Sequence, residues 1–370
     1  MRIGILTYWT SKENYGQILQ LYALYTFLIQ NGHDVFVIKY DGYGDASLNK
    51  SNMKRLLGFL KNPFKLIRYI KNIRKEKIIK KDLAGHDCKF SDFKNKRFKW
   101  SNTYNTFKEL ENNPPQADVY ICGSDMIWVE NGERYKAFFL GFGSDDVKRI
   151  AYAPSFGANN LRKSYQDKIK PYLDRFDLIS TRENSGQDIC WNMGFRNAQW
   201  FPDPTLLLEA KDYMSLITCR SRKKSYIFMY LMGHPTHVPF SSIKKFSEEN
   251  SLEIIYRASQ GRRDDWVKVY PQIEEWIGYM SQADYVITNS FHGCVFAIIF
   301  RKQFLFLPLI KGAKQSNDRI YSLLKRLQLE DRIWKGEISD IKKDIDYNLV
   351  NSEIKEWTEA TKKILCNHLQ

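Results

Sequence analysis

The residues best suited to chemistry are a histidine and its small polar neighbours, which follow a strongly apolar stretch. Residues 285–288 have the pattern of a buried strand, Asn289 and Ser290 that of a turn, and an apolar helix is predicted to start at Gly293. Ligands of parallel α/β sheets bind beyond the carboxyl ends of the strands, where helix N-termini favour anions. We therefore expect Ser290 and His292 to line a site in which the imidazole exchanges protons near neutral pH. The alternative is a histidine buried in the core beside two phenylalanines.

Three other predicted strands also lead into small or charged polar residues. The segments that follow them are Asn14-Tyr15-Gly16, Gly123-Ser124-Asp125 and Arg182-Glu183. Each of these strands thus delivers polar residues to a turn at the carboxyl end of the sheet, where ligands of such folds bind. Arg182 offers either a bidentate contact to an anion or an ion pair with Glu183. Gly16 either lets a ligand approach the backbone or serves only the turn.

The spacing of apolar residues predicts two α/β domains, each built on a parallel sheet. A strand, a helix and a second strand between residues 2 and 38 form a βαβ unit of the doubly wound kind. The first loop of this unit lacks the G-x-G-x-x-G pattern, so it does not indicate a dinucleotide site. A basic linker at residues 220–225 precedes the second set of strands and helices. We therefore predict an N-terminal domain over 1–219, a C-terminal domain over 225–345, and a final helix over 346–370 that is long enough to reach back to the first domain.

Length and composition narrow the class of protein. A chain of 370 residues exceeds the usual size of one hydrophobic core, and no apolar run approaches the roughly 20 residues that cross a bilayer. The N-terminus reads as a strand rather than a signal peptide, so we expect a cytoplasmic protein. The six cysteines form no Cys-x-x-Cys pair and have no histidine at metal-binding spacing, which argues against disulfides and zinc. The formal net charge of +15 favours an anionic partner.

Residues 49–95 form a basic insertion in which Lys and Arg alternate with Leu, Ile and Phe. Pro63 divides it into two predicted amphipathic helices. A solvated helical face is one explanation of such a segment. Peripheral docking on the anionic inner face of the cell membrane is another, because apolar residues opposite Lys and Arg favour lipid headgroups. No DNA- or RNA-binding motif accompanies the charge, so nucleic acid is not the expected partner.

Five blocks, in order along the chain, resemble the polysaccharide pyruvyl transferase family. They are Asn14-Tyr15-Gly16-Gln17, Gly123–Trp128, Arg182-Glu183, Asp203–Leu207 and Thr288–Gly293. The resemblance implies two Rossmann-like domains that face each other across a cleft, as in glycosyltransferases of the B type. It also implies transfer of pyruvate from phosphoenolpyruvate to two sugar hydroxyls of a surface polysaccharide or its lipid-linked precursor, which gives a cyclic ketal. Many members have an Arg at the position of Ser290, so Arg319 or another cation would have to supply that charge.

On this resemblance, the reaction needs an acid that protonates the methylene carbon of the enol phosphate and a base for the attacking hydroxyl. We assign the acid to His292 and the base to Asp125, ahead of Asp41 and Asp203. Arg182 is expected to bind the carboxylate or the phosphate of the donor. The expected binding site is completed by the N–H groups of Gly16 and Gly293 and by Asn14, Ser124, Ser290 and Arg319. Phosphoenolpyruvate is expected to act as donor substrate without a metal or a further cofactor.

Two other classes of protein remain open at the level of the sequence. A nucleotide-sugar-dependent glycosyltransferase would use the same two-domain cleft, because a fold does not fix a function. A non-catalytic glycan-binding protein is the third class. Binding of a UDP-sugar would favour the glycosyltransferase, and a ligand left unaltered after long incubation would favour the binding protein.

Overall fold

The computed structural model describes residues 1–42, 77, 88–130, 132–217, 222–233, 237–262, 264–309 and 317–370. Most of the basic insertion predicted at residues 49–95 lies outside the described residues, and so does part of the predicted linker at 220–225.

The first half of the chain folds around a parallel sheet. Its strands are β1 Arg2–Leu6, β2 Asp34–Tyr40, β3 Trp100–Tyr104, β4 Val119–Cys122, β5 Lys148–Ala151, β6 Leu178–Thr181 and β7 Gln199–Trp200. They pair in the order β3-β2-β1-β4-β5-β6-β7, and all the pairs are parallel. β4 is buried along its whole length, as its unbroken apolar sequence requires. The chain reverses direction across the sheet between β1 and β4, which is where doubly wound sheets bind ligands.

Helices flank this sheet. They are α1 Tyr15–Gln30, α2 Phe90–Arg97, α3 Phe107–Asn112, α4 Tyr135–Phe138, α5 Lys163–Leu173, α6 Asn184–Asn192 and α7 Ala210–Met214. A short 3₁₀ turn at Pro204–Leu207 follows β7. Helix α1 is apolar on nearly all sides because it lies between the first sheet and the second domain, and most of its residues are buried.

The second half of the chain forms a smaller parallel sheet. Its strands are β8 Tyr226–Leu231, β9 Glu253–Ala258, β10 Tyr285–Thr288 and β11 Gln303–Phe306, in the order β11-β10-β8-β9. The helices are α8 Phe240–Glu249, α9 Ile273–Gln282, α10 Phe291–Ile299, α11 Asp318–Arg326 and α12 Tyr347–His368. The strand predicted at residues 285–288 is confirmed, and the helix after it begins two residues earlier than predicted.

The final helix, α12, returns to the first domain, as predicted. Nε1 of Trp357 donates a hydrogen bond to the carbonyl of Trp200 at 3.1 Å, and Nζ of Lys148 donates to the carbonyl of His368 at 3.2 Å. One apolar cluster includes residues of both sheets, of α1 and of α12. The prediction of two α/β domains with a helix that crosses back is therefore confirmed.

Candidate active site

Polar residues that follow strands of both sheets meet at the carboxyl ends of those strands. Asp125 follows β4, Arg182 follows β6, Asp203 follows β7, and His292 lies in the first turn of α10 after β10. Contacts of 3.1–3.6 Å join all four side chains into one cluster. Three of these residues come from the first domain and one from the second, so the domain interface builds the cluster.

His292 lies between a carboxylate on one side and a glycine on the other. Its Nε2 is 3.3 Å from Oδ2 of Asp203, and 6% of the residue is exposed. A Cβ built on Gly16 would lie 2.1 Å from Nδ1 of His292, so any side chain at that position would collide with the ring. Glycine thus lets the first turn of α1 touch the imidazole. Because Nδ1 faces this backbone, Nε2 is the nitrogen available for proton exchange.

Asp203 anchors both the histidine and the first arginine. Its Oδ1 accepts hydrogen bonds from the backbone N–H of Thr205 at 3.0 Å and from the Thr205 hydroxyl at 2.7 Å. Its Oδ2 accepts from Nη1 of Arg182 at 3.1 Å. Burial raises the pKa of Asp203, but His292 and Arg182 outweigh burial and hold this pKa well below its usual range. Asp203 is therefore a charged positioning group.

The guanidinium of Arg182 joins two carboxylates. Its Nη1 contacts Asp203, its Nη2 lies 3.6 Å from Oδ1 of Asp125, and its side chain is fully buried. The alternative ion pair with Glu183 is not formed. Oε1 of Glu183 instead accepts hydrogen bonds from the hydroxyl of Ser155 at 2.9 Å and from a backbone N–H. Burial raises the pKa of Glu183, although the nearby arginines oppose this effect.

A second arginine, Arg319, lies beside the first. The guanidinium carbons of Arg182 and Arg319 are 4.8 Å and 5.7 Å from the ring centre of Phe291. Burial and the charge of Arg182 lower the pKa of Arg319 to about 10. Like charges this close destabilise the protein, and the carboxylates of Glu183, Asp125 and Asp203 oppose that effect.

Asp125 has an unusual backbone conformation. Its φ of 73° lies in the left-handed region, which residues other than glycine seldom adopt and which recurs at functional sites. Its Oδ2 accepts a hydrogen bond from Nε2 of Gln17 at 3.1 Å, and its Oδ1 accepts from the backbone N–H of Met126 at 2.8 Å. Burial raises the pKa of Asp125, but Arg182 and other nearby cations outweigh burial and lower it. The carboxylate is thus ionised and can accept a proton from a hydroxyl.

Several polar atoms of the cluster are buried without a hydrogen bond to any described residue. They are Nε and Nη2 of Arg182, Nε of Arg319, Nε2 of His292 and Oε2 of Glu183. The contact between His292 and Asp203 is an ion-pair distance that is not aligned as a hydrogen bond. An unpaired buried group costs about 1–3 kcal/mol, so native proteins seldom retain several in one place. Three of these atoms are guanidinium nitrogens, and an anionic ligand would satisfy them.

Three polar residues predicted to bind substrate have structural roles. The side chain of Asn14 caps α1 and that of Ser290 caps α10, each by accepting a backbone N–H of its helix. The buried hydroxyl of Ser124 donates to the carbonyl of Ala153 at 2.7 Å and lies 3.4 Å from Oδ2 of Asp203. Their predicted contacts with substrate stay predictions.

The remaining predicted residues differ in position. A Cβ on Gly293 would lie 2.2 Å from Oγ1 of Thr288, so close packing of α10 on β10 accounts for this glycine. Asp41 lines a separate small pocket, together with Trp9 and Gln17. Gln17 connects that pocket to Asp125 through its amide group.

Tyr15 and Arg257 fasten the first turn of α1 to the second domain. The hydroxyl of Tyr15 donates to the carbonyl of Pro271 at 2.6 Å and accepts from Nε of Arg257 at 3.2 Å. Glu13 accepts the backbone N–H of Gln260 at 2.7 Å. These contacts hold the neighbouring Gly16 against the imidazole of His292.

The sequence alone favours Asp125 over Asp203 as the base and indicates no role for Gln17. A signal for Asp203 was present in Asp203-Pro204-Thr205, because an Asp before Pro is a typical cap for a helical turn. That signal predicts the contacts of Oδ1 with Thr205. It does not predict the contacts of Oδ2, which depend on residues distant in the sequence.

The two parallel α/β domains, with polar residues gathered between the carboxyl ends of their sheets, define a protein of glycosyltransferase-B-like fold. The sequence profile of the family described as polysaccharide pyruvyl transferase matches residues 14–309. The chain therefore belongs to the polysaccharide pyruvyl transferase family, a family of transferases that modify polysaccharides.

Solved structures share this fold at low sequence identity. A UDP-N-acetylglucosamine 2-epimerase from Rickettsia bellii is similar with a TM-score of 0.50 and 10% identity, over 98% of this chain and 94% of that one. A UDP-GlcNAc 2-epimerase from Methanocaldococcus jannaschii gives a TM-score of 0.48 and 10% identity, over 99% and 100% of the two chains. At 10% identity, such a similarity bears on the fold and not on the function. No curated protein sequence matches the chain significantly.

The described residues contain no helix with the length and apolar composition needed to cross a membrane. They also contain no group of three or more His, Cys, Asp and Glu side chains arranged to hold a metal ion. The expectation that the reaction needs no metal stays a prediction.

Proposed function

We propose that the protein transfers pyruvate from phosphoenolpyruvate to two hydroxyls of a sugar and forms a ketal on a surface polysaccharide or its lipid-linked precursor. The observation that carries the proposal is the pair of arginines, Arg182 and Arg319, with unpaired N–H groups beside an imidazole and an ionised carboxylate. Phosphoenolpyruvate carries both a carboxylate and a phosphate, and planar guanidinium groups bind either in a bidentate manner.

The proposed reaction balances without an added reagent. Protonation of the methylene carbon gives a methyl group and makes the neighbouring carbon cation-like, so the first hydroxyl adds to that carbon and loses its proton. The C–O bond to phosphate then breaks, and the second hydroxyl adds and loses its proton. One hydroxyl proton thus replaces the proton delivered to the methyl group, and the other leaves with phosphate. The reaction requires one acid, one base and a site for the departing anion.

We assign each of these roles to a residue of the cluster. Nε2 of His292 is the proposed proton donor, because it lacks a hydrogen bond to any described residue and is oriented by Asp203. Asp125 is the proposed base, since its neighbours keep it ionised. The arginine pair would hold the donor and then stabilise the departing phosphate.

Arg319 gives the sharper test of donor binding. Removing Arg182 would leave two buried carboxylates without their partner, which itself costs about 3–5 kcal/mol. Arg319 forms no ion pair with the described residues, and Arg182 repels it. An Arg319→Met protein should therefore fold at least as well as the wild type. Loss of a charge-assisted contact worth about 1.5–3 kcal/mol should weaken phosphoenolpyruvate binding about 10–150-fold.

Titration calorimetry with phosphoenolpyruvate and with UDP-sugars would measure this effect. Arg175→Met is the matched control, because Arg175 forms an ion pair with Asp145 at 2.9 Å outside the cluster. Equal phosphoenolpyruvate affinity in wild type and Arg319→Met would reject the arginine pair as the donor site. Tight binding of a UDP-sugar instead of phosphoenolpyruvate would support a nucleotide-sugar glycosyltransferase. Donor binding without consumption in the presence of acceptor would support a glycan-binding protein.

A further inference from the structure

A pocket of about 650 Å³ lies beside the candidate active site, between α6 of the first domain and α11 of the second. Trp200 lines it, and the indole Nε1 of Trp200 donates a hydrogen bond to the carbonyl of Arg182 at 3.0 Å. Asp318 lines it from the second domain and directly precedes Arg319. The pocket therefore lies next to the backbone segments that carry both arginines of the cluster.

The lining of this interdomain pocket combines aromatic rings with hydroxyl, amide and carboxylate groups. Trp200 and Tyr321 supply the rings, while Asn184 and Ser185 supply polar groups from the first turn of α6. Sugar hydroxyls both donate and accept hydrogen bonds, and the C–H faces of a pyranose pack on aromatic surfaces. The volume is within the range of about 300–1,000 Å³ that is usual for small-ligand pockets.

Three polar atoms of the lining residues are buried and form no hydrogen bond with any described residue. They are Oγ of Ser185 in the first domain, and Oδ2 of Asp318 and Nε of Arg326 in the second. Ser185 lies two positions after Glu183, and Asp318 lies next to Arg319, so both adjoin the cluster in sequence. Ligand hydroxyls could donate to the carboxylate oxygen, accept from the guanidinium N–H and pair with the serine hydroxyl, which would satisfy all three atoms.

The charges of the pocket balance. Asp188 and Asp318 offset Lys325 and Arg326. The guanidinium carbon of Arg326 lies 4.3 Å from the ring centre of Trp357, so an aromatic ring already engages this charge. A neutral ligand suits such a pocket better than a second anion does.

We propose that the interdomain pocket is the acceptor subsite and binds a neutral pyranose of the glycan, with its reacting hydroxyls directed toward the arginine pair. This inference rests on the proposed function in one respect, since it assumes that a sugar receives the pyruvate. The pocket joins the two domains, so both contribute to the choice of sugar.

Saturation-transfer NMR with the methyl pyranosides of galactose, glucose and mannose tests the proposal. The wild type should bind at least one of them. Asp318→Asn alters a carboxylate oxygen that accepts no hydrogen bond from any described residue, so the variant should fold normally and bind the pyranoside about tenfold or more weakly. Trp200→Ala should show a loss at least as large. Both variants should bind phosphoenolpyruvate within about threefold of the wild-type affinity.

Two control variants match the changes in residue type. Asp167→Asn alters an exposed carboxylate in α5, and Trp266→Ala alters a half-buried indole of the second domain; neither lines the pocket. Should Trp200→Ala unfold, the Asp318→Asn result decides alone. The proposal is overturned if no pyranoside binds the wild type, or if Asp318→Asn binds as tightly as the controls. Pyranoside binding that depends on Asp318, without any phosphoenolpyruvate binding, would sustain the subsite and reject the proposed donor.

Discussion

Replacing His292 with Gln separates proton transfer from binding. The amide nitrogen of Gln can occupy the position of Nε2 and donate to Oδ2 of Asp203, which lies 3.3 Å from Nε2, but it cannot transfer a proton. Loss of a general acid should lower turnover roughly 10²–10⁴-fold. At about 1.36 kcal/mol for each tenfold change, the activation free energy rises by about 2.7–5.4 kcal/mol. Affinity for phosphoenolpyruvate should change little, because the arginines hold the donor.

Single-turnover transfer to a pyranoside acceptor measures the chemical step directly. In deuterated solvent, the wild type should place deuterium in the methyl group of the ketal. His292→Asn serves as a companion variant, because its amide nitrogen matches Nδ1, which faces Gly16, and cannot reach Asp203 as Gln does. We expect the Asn protein to be less stable than the Gln protein and no more active. Turnover near the wild-type rate in a folded His292→Gln protein, or a loss that only follows unfolding, would refute the acid role and leave a core histidine.

Two further predictions concern stability and partners. Glu183→Gln should be more stable than the wild type at pH 7. The pKa of Glu183 is raised in the folded protein, so its ionisation opposes folding, and the stabilising contribution of the protonated form is lost as the pH rises from about 4.3 through the folded pKa. Asp125→Asn should be less stable at pH 7, because the lowered pKa of Asp125 stabilises the fold above about pH 3.9, and this contribution is lost as the pH falls through the folded pKa. Urea unfolding at pH 3.5 and pH 7 measures the free energy of unfolding of both variants. A change of the same sign, relative to the wild type, in both variants at pH 7 would contradict these two predictions. The insertion at residues 49–95 should make the protein sediment with anionic vesicles, at about 1 kcal/mol for each basic residue that reaches the surface; equal, weak sedimentation with neutral vesicles would leave it a solvated segment.

The strands were predictable where apolar runs are bounded by polar residues. Tyr285–Thr288 stands between Asp284 and Asn289, and its bounds in the structure match the prediction. The next helix was predicted to start at Gly293, but it starts at Phe291, because the side chain of Ser290 caps α10. β3, at Trp100–Tyr104, was missed because this edge strand is largely polar and only partly buried.

The residues that form the candidate site were more predictable than the contacts between them. Residues at the ends of strands, such as Asp125, Arg182 and His292, could be chosen because a parallel sheet brings those ends to one edge. The pairing of Arg182 with Asp203 rather than with its neighbour Glu183 depends on where β7 lies beside β6. Such contacts depend on packing between elements that are distant in the sequence, so local sequence patterns do not predict them.

The close approach of Gly16 to His292 restricts how a ligand can reach the cluster. Because the backbone of one domain touches the imidazole of the other, Arg182 and Asp203 are sealed from solvent at the centre of the cleft. Under the proposed function, the donor would reach these side chains only after the domains, or the segments between them, move apart, and the contacts of Tyr15 with Pro271 and Arg257 oppose that movement. The lining of the interdomain pocket includes none of these three residues, so the proposed sugar would reach its subsite without such a movement. Opening of the domains would then limit the binding of the donor and not that of the sugar.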